Sequence, residues 1–293
     1  MSTPTRRTKW RRVLAVILSI FNAGAGHVAL GYPRRGVLWF AASIVSDIAC
    51  FAAILMNAPT LLWIIVGLLV AIRLSSIALT VRSPLQDLQL GKAKTGLLIV
   101  LMIVLMQVAG IGLTSVAQAG WIPSESMYPA IWIGDHFFLS RISLKVGRGD
   151  VISFEYPEDR SKTLVKRIVG IGGDSIQMLD GQLILNGVPV PSERTEEPCV
   201  INNDRCVIWR ETLDGKSYRV VRLFETGGNS TDFGPATIAP GYLFVLGDSR
   251  DNSLDSRHFG AISVDLVRGN PLFVYWSSNE SGIHWNRINQ RIN

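Results

Sequence analysis

Acidic residues are nearly missing from the first 119 positions of this 293-residue chain, where only Asp47 and Asp87 stand against eleven lysines and arginines. Eighteen basic and twenty-one acidic residues follow, so balances of +9 and −3 make up the net +6. The positive charge therefore lies in clusters among apolar runs, which excludes the broad basic surface of a nucleic-acid binder; no nucleic-acid partner is expected. Cysteine is also scarce. Cys50, Cys199 and Cys206 are too few for a disulfide scaffold or a four-thiolate zinc site. There is no His-Glu-x-x-His, no phosphate loop (Gly170-Ile171-Gly172-Gly173 is too short) and no Gly-x-Ser-x-Gly elbow. With 48% hydrophobic and 18% charged residues, the chain is not a disordered one.

What is present first is a membrane anchor. Stretches 37–56, 61–80 and 96–117 are apolar over the roughly 20 residues that a helix needs to cross a hydrocarbon core. A fourth, 13–30, is shorter and broken by Asn22, Gly24, Gly26 and His27. Basic clusters precede and follow it (Arg6, Arg7, Lys9, Arg11, Arg12; then Arg34, Arg35), and Arg82, Lys92 and Lys94 lie between the second and third full spans. Cytoplasmic loops carry the excess of Lys and Arg. All three clusters then share one side, and 13–30 is a re-entrant or interfacial segment. Three crossings deliver residues 120–293 to the outer side. A cleavable signal peptide fits the start of the chain but not the three spans that follow. Arg73, inside 61–80, pairs with Asp47, snorkels or lines a polar spot.

Beyond residue 119 the period changes to short runs rich in Val, Ile, Phe and Tyr: 150–156, 164–169, 175–179, 182–185, 207–213, 218–224, 242–246 and 272–276. Asp180-Gly181 and Asp214-Gly215 separate two pairs of them, a strong hairpin signal. The expected fold is N-terminal transmembrane α-helices (1–119) followed by a mostly-β domain (120–293), a barrel-like, folded antiparallel sheet. Cys199 and Cys206 fall on the side where disulfides persist, so they form a bridge or stay as two thiols in a loop. Cys50 reads as a small buried hydrophobe.

Two candidate chemistries arise from the residues. Gly247-Asp248-Ser249 with Asp255-x-x-His258 is similar to blocks of a lipase/esterase family, but those blocks lie far apart in sequence on an α/β fold, and here they nearly touch. Ser126 stands between Pro123 and Pro129 on what reads as a rigid, exposed turn. Serine needs a base. A lysine serves if an apolar setting keeps it neutral, and Lys166, between Leu164-Val165 and Ile168-Val169, is the lysine of this region with that setting. The residues alone leave open an ordinary turn serine, a solvent-facing lysine, and His136 or His258 as the base.

Four ordered blocks add to this. They are Pro123-Ser-x-Ser-Met-x-Pro129 with Gly134-Asp135, Arg148-Gly-Asp150, Lys166-Arg167 before Gly172-Gly-Asp174, and Gly247-Asp-x-Arg-Asp-Asn-Ser-x-Asp-Ser-Arg257. Together with the preceding anchor they resemble the boxes of bacterial type I signal peptidases over roughly residues 121–260. The resemblance implies Ser126 as nucleophile, Lys166 as general base, and an oxyanion hole from the Ser124 hydroxyl and the Ser126 N–H. Ser253 would orient Lys166, with Asp255 and Arg257 bracing the site. It further implies no metal or cofactor, preprotein substrates with small residues at −1 and −3, a monomer in the phospholipid bilayer, and a multi-pass protein of the bacterial inner membrane with its catalytic domain outside. Ala130, Gly172 and Ser249 depart from the usual Thr, Pro and Asn. A peptidase dedicated to one secretion or conjugation system, and a catalytically silent membrane scaffold, are the alternatives.

Overall fold

The computed structural model describes residues 6–88, 90–142, 144–201, 204–223, 232–280 and 282–293. They form two compact units, Met1–Ala117 and Gln118–Asn293. The first is helical: α1 (Arg6–Phe21), α2 (Ala25–Leu30), α3 (Pro33–Leu55), α4 (Pro59–Arg82) and α5 (Gly91–Thr114). Pro33 and Pro59 open α3 and α4 at the position where a missing N–H costs nothing. Three helices, α3, α4 and most of α5, are long and apolar enough to cross a membrane.

Stretch 13–30 is two helices separated at Asn22–Gly24, and every residue of α2 is buried. Several of its polar groups find partners inside the unit. The Thr80 hydroxyl donates to the Ser76 carbonyl (2.8 Å), which leaves its oxygen to meet Ser19 Oγ and His27 Nδ1, each at 3.0 Å. Arg11 donates to the Ala29 and Gln86 carbonyls at 2.8 Å. Asp47 and Arg73 approach to 3.8 Å. The last apolar stretch was expected to stay helical to residue 117. Instead the helix ends at Thr114 and a strand starts at Ala117. Hydropathy does not distinguish an apolar strand from the end of an apolar helix.

The second unit is built of β1 (Ala117–Trp121), β2 (Asp135–Ser140), β3 (Val151–Tyr156), β4 (Asp159–Ile171), β5 (Ser175–Leu179), β6 (Gln182–Leu185), β7 (Val188–Pro189) and β8 (Ser192–Arg194). There follow β9 (Val200–Ile201), β10 (Asp204–Leu213), β11 (Lys216–Leu223), β12 (Phe233–Thr237), β13 (Tyr242–Leu246), β14 (Ile262–Ser263), β15 (Val267–Asn279) and β16 (Gly282–Ile283). A short helix, α6 (Ser256–Phe259), interrupts them. Phe224, the end of one expected run, lies outside the described residues. The main sheet runs β1-β2-β15-β3-β4-β13-β14, with β16 on β15; smaller sheets are β11-β10-β8 with β9, and β12-β5-β6-β7. All registered pairs among these strands are antiparallel. Asp180-Gly181 and Asp214-Gly215 turn their hairpins with positive φ at both residues, which matches the twist of the flanking strands.

Inward residues of β2, β3, β4 and β15 (Phe137, Leu139, Val151, Val165, Val274) close over Met127 and Ile131 from the β1–β2 loop. A second core fills the space between the smaller sheets, with Val169, Ile176, Met178, Leu183, Val220 and Phe244 at its centre. Cys199 and Cys206 are joined as a disulfide, Cα atoms 5.0 Å apart, and pack beside Ile201, Ile208 and Val221.

Candidate active site

Ser126 sits in the loop between β1 and β2. Its neighbour Met127 is fully buried, as is Ile131. The carbonyl of Ser126 accepts from the Ser249 N–H (3.2 Å), and the Ile122 N–H donates to the Asp135 carbonyl (3.2 Å) where the loop closes. Pinned to the core on one side and to the 247–257 segment on the other, Ser126 projects its hydroxyl into a cleft of about 610 Å³ that Lys166 and Ser124 also line. Lys166 Nζ lies 2.6 Å from Ser126 Oγ, and Ser124 Oγ lies 3.2 Å from it.

Lys166 is on the long strand β4, opposite Ile152 of β3, and is 3% exposed. Burial penalises its charged form; the Asp255 and Asp248 carboxylates pull back upward and Arg257 pushes down again. The outcome is a pKa lowered to about 8. Desolvation wins because no carboxylate forms an ion pair with the amine among the described residues.

The next residue points to the other face, as strand alternation requires. Arg167 donates twice to Asp248 (2.8 and 2.7 Å) and once to the Gly149 carbonyl (2.8 Å), and its guanidinium lies 4.1 Å from the Tyr218 ring centre. Arg167 and Asp248 are each 1% exposed. This pair ties β4 to the segment that follows β13. Asp255, fully buried, accepts from the Gly247 N–H (3.0 Å) and from Arg257 Nε and Nη2 (2.9 Å each), while Arg257 also reaches the Arg250 carbonyl (2.6 Å). A Cβ on Gly247 would overlap Ser253 and the Ser126 carbonyl, so this position accepts only glycine.

The other blocks are held by further ion pairs. Arg148 donates twice to Asp174 at 2.7 Å and once to Asp214 at 2.8 Å. Burial pushes Asp174 up, but Arg148 and the Ile171 and Asn186 N–H donors outweigh it and hold the carboxyl at about 2. Asp150 meets Lys216 at 2.7 Å. Asp135, fully buried, accepts from Arg287 and from the Trp132 N–H.

Of the residues singled out in the sequence, Ser124, Ser126 and Lys166 converge on one cleft, with Asp255 and Arg257 bracing the Gly247 backbone beside it. Ser253, expected to orient Lys166, packs its hydroxyl over Gly247 and beside the Asp255 carboxylate, with no bond to Lys166 among the described residues. His136 stacks near Tyr275, and the side chain of His258 is 54% exposed, 4.0 Å from Asp255. Neither histidine lines the Ser126 cleft. Ser249 is 2% exposed, too buried to meet a substrate, which removes the lipase-like arrangement. Glu211 and Arg287 escaped the sequence reading. Glu211 accepts from Arg250 (2.8 and 2.5 Å) and Arg222 (3.3 Å). Its inward position between Trp209 and Leu213 was the available signal.

The family profile described as signal peptidase, peptidase S26, matches residues 94–276, well over half of the chain. The chain belongs to this family. A signal peptidase I of Bacillus licheniformis is 31% identical over 163 residues, covering 54% of this chain and 76% of the relative. One from Aquifex aeolicus is 29% identical over 196 residues, 55% and 77%, and one from Leptolyngbya laminosa 26% over 179 residues, 58% and 73%. The chain is thus a membrane protein and a serine endopeptidase of the S26 signal peptidases, and its reaction is the removal of signal peptides.

Proposed function

We propose that Ser126 and Lys166 perform this hydrolysis as a nucleophile–base pair, a reading carried by their 2.6 Å approach inside the cleft. Neutral Lys166 accepts the Ser126 hydroxyl proton as Oγ attacks the scissile carbonyl. The ammonium so formed gives that proton to the departing amine, leaving an acyl-enzyme on Ser126. Lys166 then takes a proton from water, which attacks the ester carbonyl and frees the new carboxyl end, and the serine recovers its proton. The oxyanion of each tetrahedral state faces the Ser126 N–H, which donates to no group among the described residues, and the Ser124 hydroxyl.

The substrate binds extended. β1 is an edge of the main sheet. Pairing of β13 to β4 stops at Arg167, so residues 163–166 have an open edge on that side. Both edges line the cleft, where Phe137, Leu139 and Val165 offer shallow apolar ground for small side chains at −1 and −3. We place three crossings (α3, α4, α5) in a bacterial inner membrane. Segment α1–α2 is folded back on the cytoplasmic side, and the protein acts as a monomer with its peptidase unit, and the Cys199–Cys206 bridge, outside.

Purified protein in detergent is expected to cut a preprotein at one bond, read by sequencing the new N-terminus. In that assay Ser124→Ala should lower kcat about 10²–10³-fold with little change in KM, as for loss of one oxyanion donor; a change confined to KM would limit Ser124 to substrate binding. Reporter fusions after Pro59 and Gly120 are expected to read out on the outer side and after Leu88 in the cytoplasm. A cytoplasmic reading after Gly120 would overturn the orientation.

A further inference from the structure

A second cleft, of about 390 Å³, lies apart from Ser126, between the β10–β11 hairpin and the segment after β16, and five arginines line it. Three are spent. Arg167 is held by Asp248 and Arg287 by Asp135, both buried, and Arg219 donates to Glu197 at 2.9 Å. Arg210 and Arg291 are exposed, and neither makes an ion pair or side-chain hydrogen bond among the described residues. Their placement is costly for an empty surface. Arg210 stands directly opposite Arg219 across the β10–β11 ladder, and like charges at facing positions destabilise a sheet. On its other side Arg210 faces Glu193 of β8, but the two form no ion pair. An anion held between the guanidinium groups removes that cost.

We propose that this cleft binds a phosphate group. Arginine forks deliver paired N–H donors to an oxyanion, and a tetrahedral phosphate has oxygens enough to meet Arg210, Arg219 and Arg291 together. The buried Arg167 and Arg287 behind them are fixed and neutralised by their own carboxylates, which leaves the free charge of the cleft on Arg210 and Arg291. In a membrane-anchored protein, two sources supply such a group: the headgroup of an anionic phospholipid, or free phosphate.

Full-length protein in dodecyl maltoside is titrated by calorimetry with inorganic phosphate, with dihexanoyl phosphatidylglycerol below its micelle concentration, and with phosphate-free dihexanoylglycerol. Saturable 1:1 binding is expected for at least one phosphate probe, weakened tenfold or more by the pair Arg210→Gln/Arg291→Gln and less by Arg210→Lys/Arg291→Lys. Saturation by phosphatidylglycerol alone assigns the lipid headgroup, and saturation by inorganic phosphate assigns the free anion. The glutamine pair should unfold at the same temperature as the parent or higher without phosphate, because the facing charges are gone. The site is overturned if neither phosphate probe saturates, if dihexanoylglycerol binds equally, or if the glutamine pair binds as the parent does.

Discussion

A Lys166→Arg variant is expected to cleave no faster than Lys166→Ala, both slower than the parent by on the order of 10⁴-fold, the upper range for loss of a general base. The base must be neutral. A free lysine near 10.4 is neutral in roughly 4 molecules in 10,000 at pH 7. Lowered to about 8, Lys166 is neutral in about one in ten, so burial alone raises the reactive fraction more than a hundredfold. Arginine keeps its proton at any working pH and so fails as a base, although its charge and length resemble those of lysine. The rate of the parent should rise with pH through about 8 and level off above it, since deprotonation creates the active form. Single-turnover cleavage by each variant, with circular dichroism as the check on folding, measures this. Near-parent cleavage by a well-folded Lys166→Arg protein would disprove the assignment.

Loss of Asp248 should damage stability most. Asp248→Ala leaves the Arg167 guanidinium buried with the Gly149 carbonyl and the Tyr218 ring but no counter-charge. Breaking such a pair from one side costs about 3–5 kcal/mol. Removing both partners is different: Arg167→Met/Asp248→Leu should retain or exceed the parent's thermal midpoint in the same detergent, because no ion is left without a partner. The double variant also tests the electrostatics of the site. The Asp248 carboxylate raises the Lys166 pKa, so its removal should move the rising limb of the pH–rate profile to lower pH. If the double variant unfolds as readily as Asp248→Ala, the ion pair itself, rather than the isolated charge, sustains the fold.

The parts of this architecture that repeat along the chain were readable in advance. Apolar length marked α3, α4 and α5, and alternation with Asp-Gly turns marked β5–β6 and β10–β11 to within a few residues. The hydroxyl at 126 and the amine at 166 stood out for the prolines and the apolar run around them, but their 40-residue separation concealed the contact, and the family blocks supplied the pairing. What remained illegible depends on partners distant in sequence. Nothing near Glu211 announces Arg250, and nothing near Asp135 announces Arg287, because burial of a charge is a property of the packed molecule. Ser253 shows the converse: a block match names a residue without showing what surrounds its hydroxyl, which here lies over Gly247 and beside Asp255.

The neighbours Lys166 and Arg167 have a consequence for how β4 must assemble. A slip of one residue in its pairing exchanges the faces of every side chain. A slip that set Arg167 in the place of Lys166 would offer the guanidinium to Ser126 and leave Asp248 without its partner, giving a molecule of nearly the same size, charge and strand content with no base at its serine. The fork of Arg167 fits the Asp248 carboxylate at two points, which an ammonium does not. On the proposed reading, the pair on one face of the strand thus favours the alignment that sets Lys166 beside Ser126 on the other.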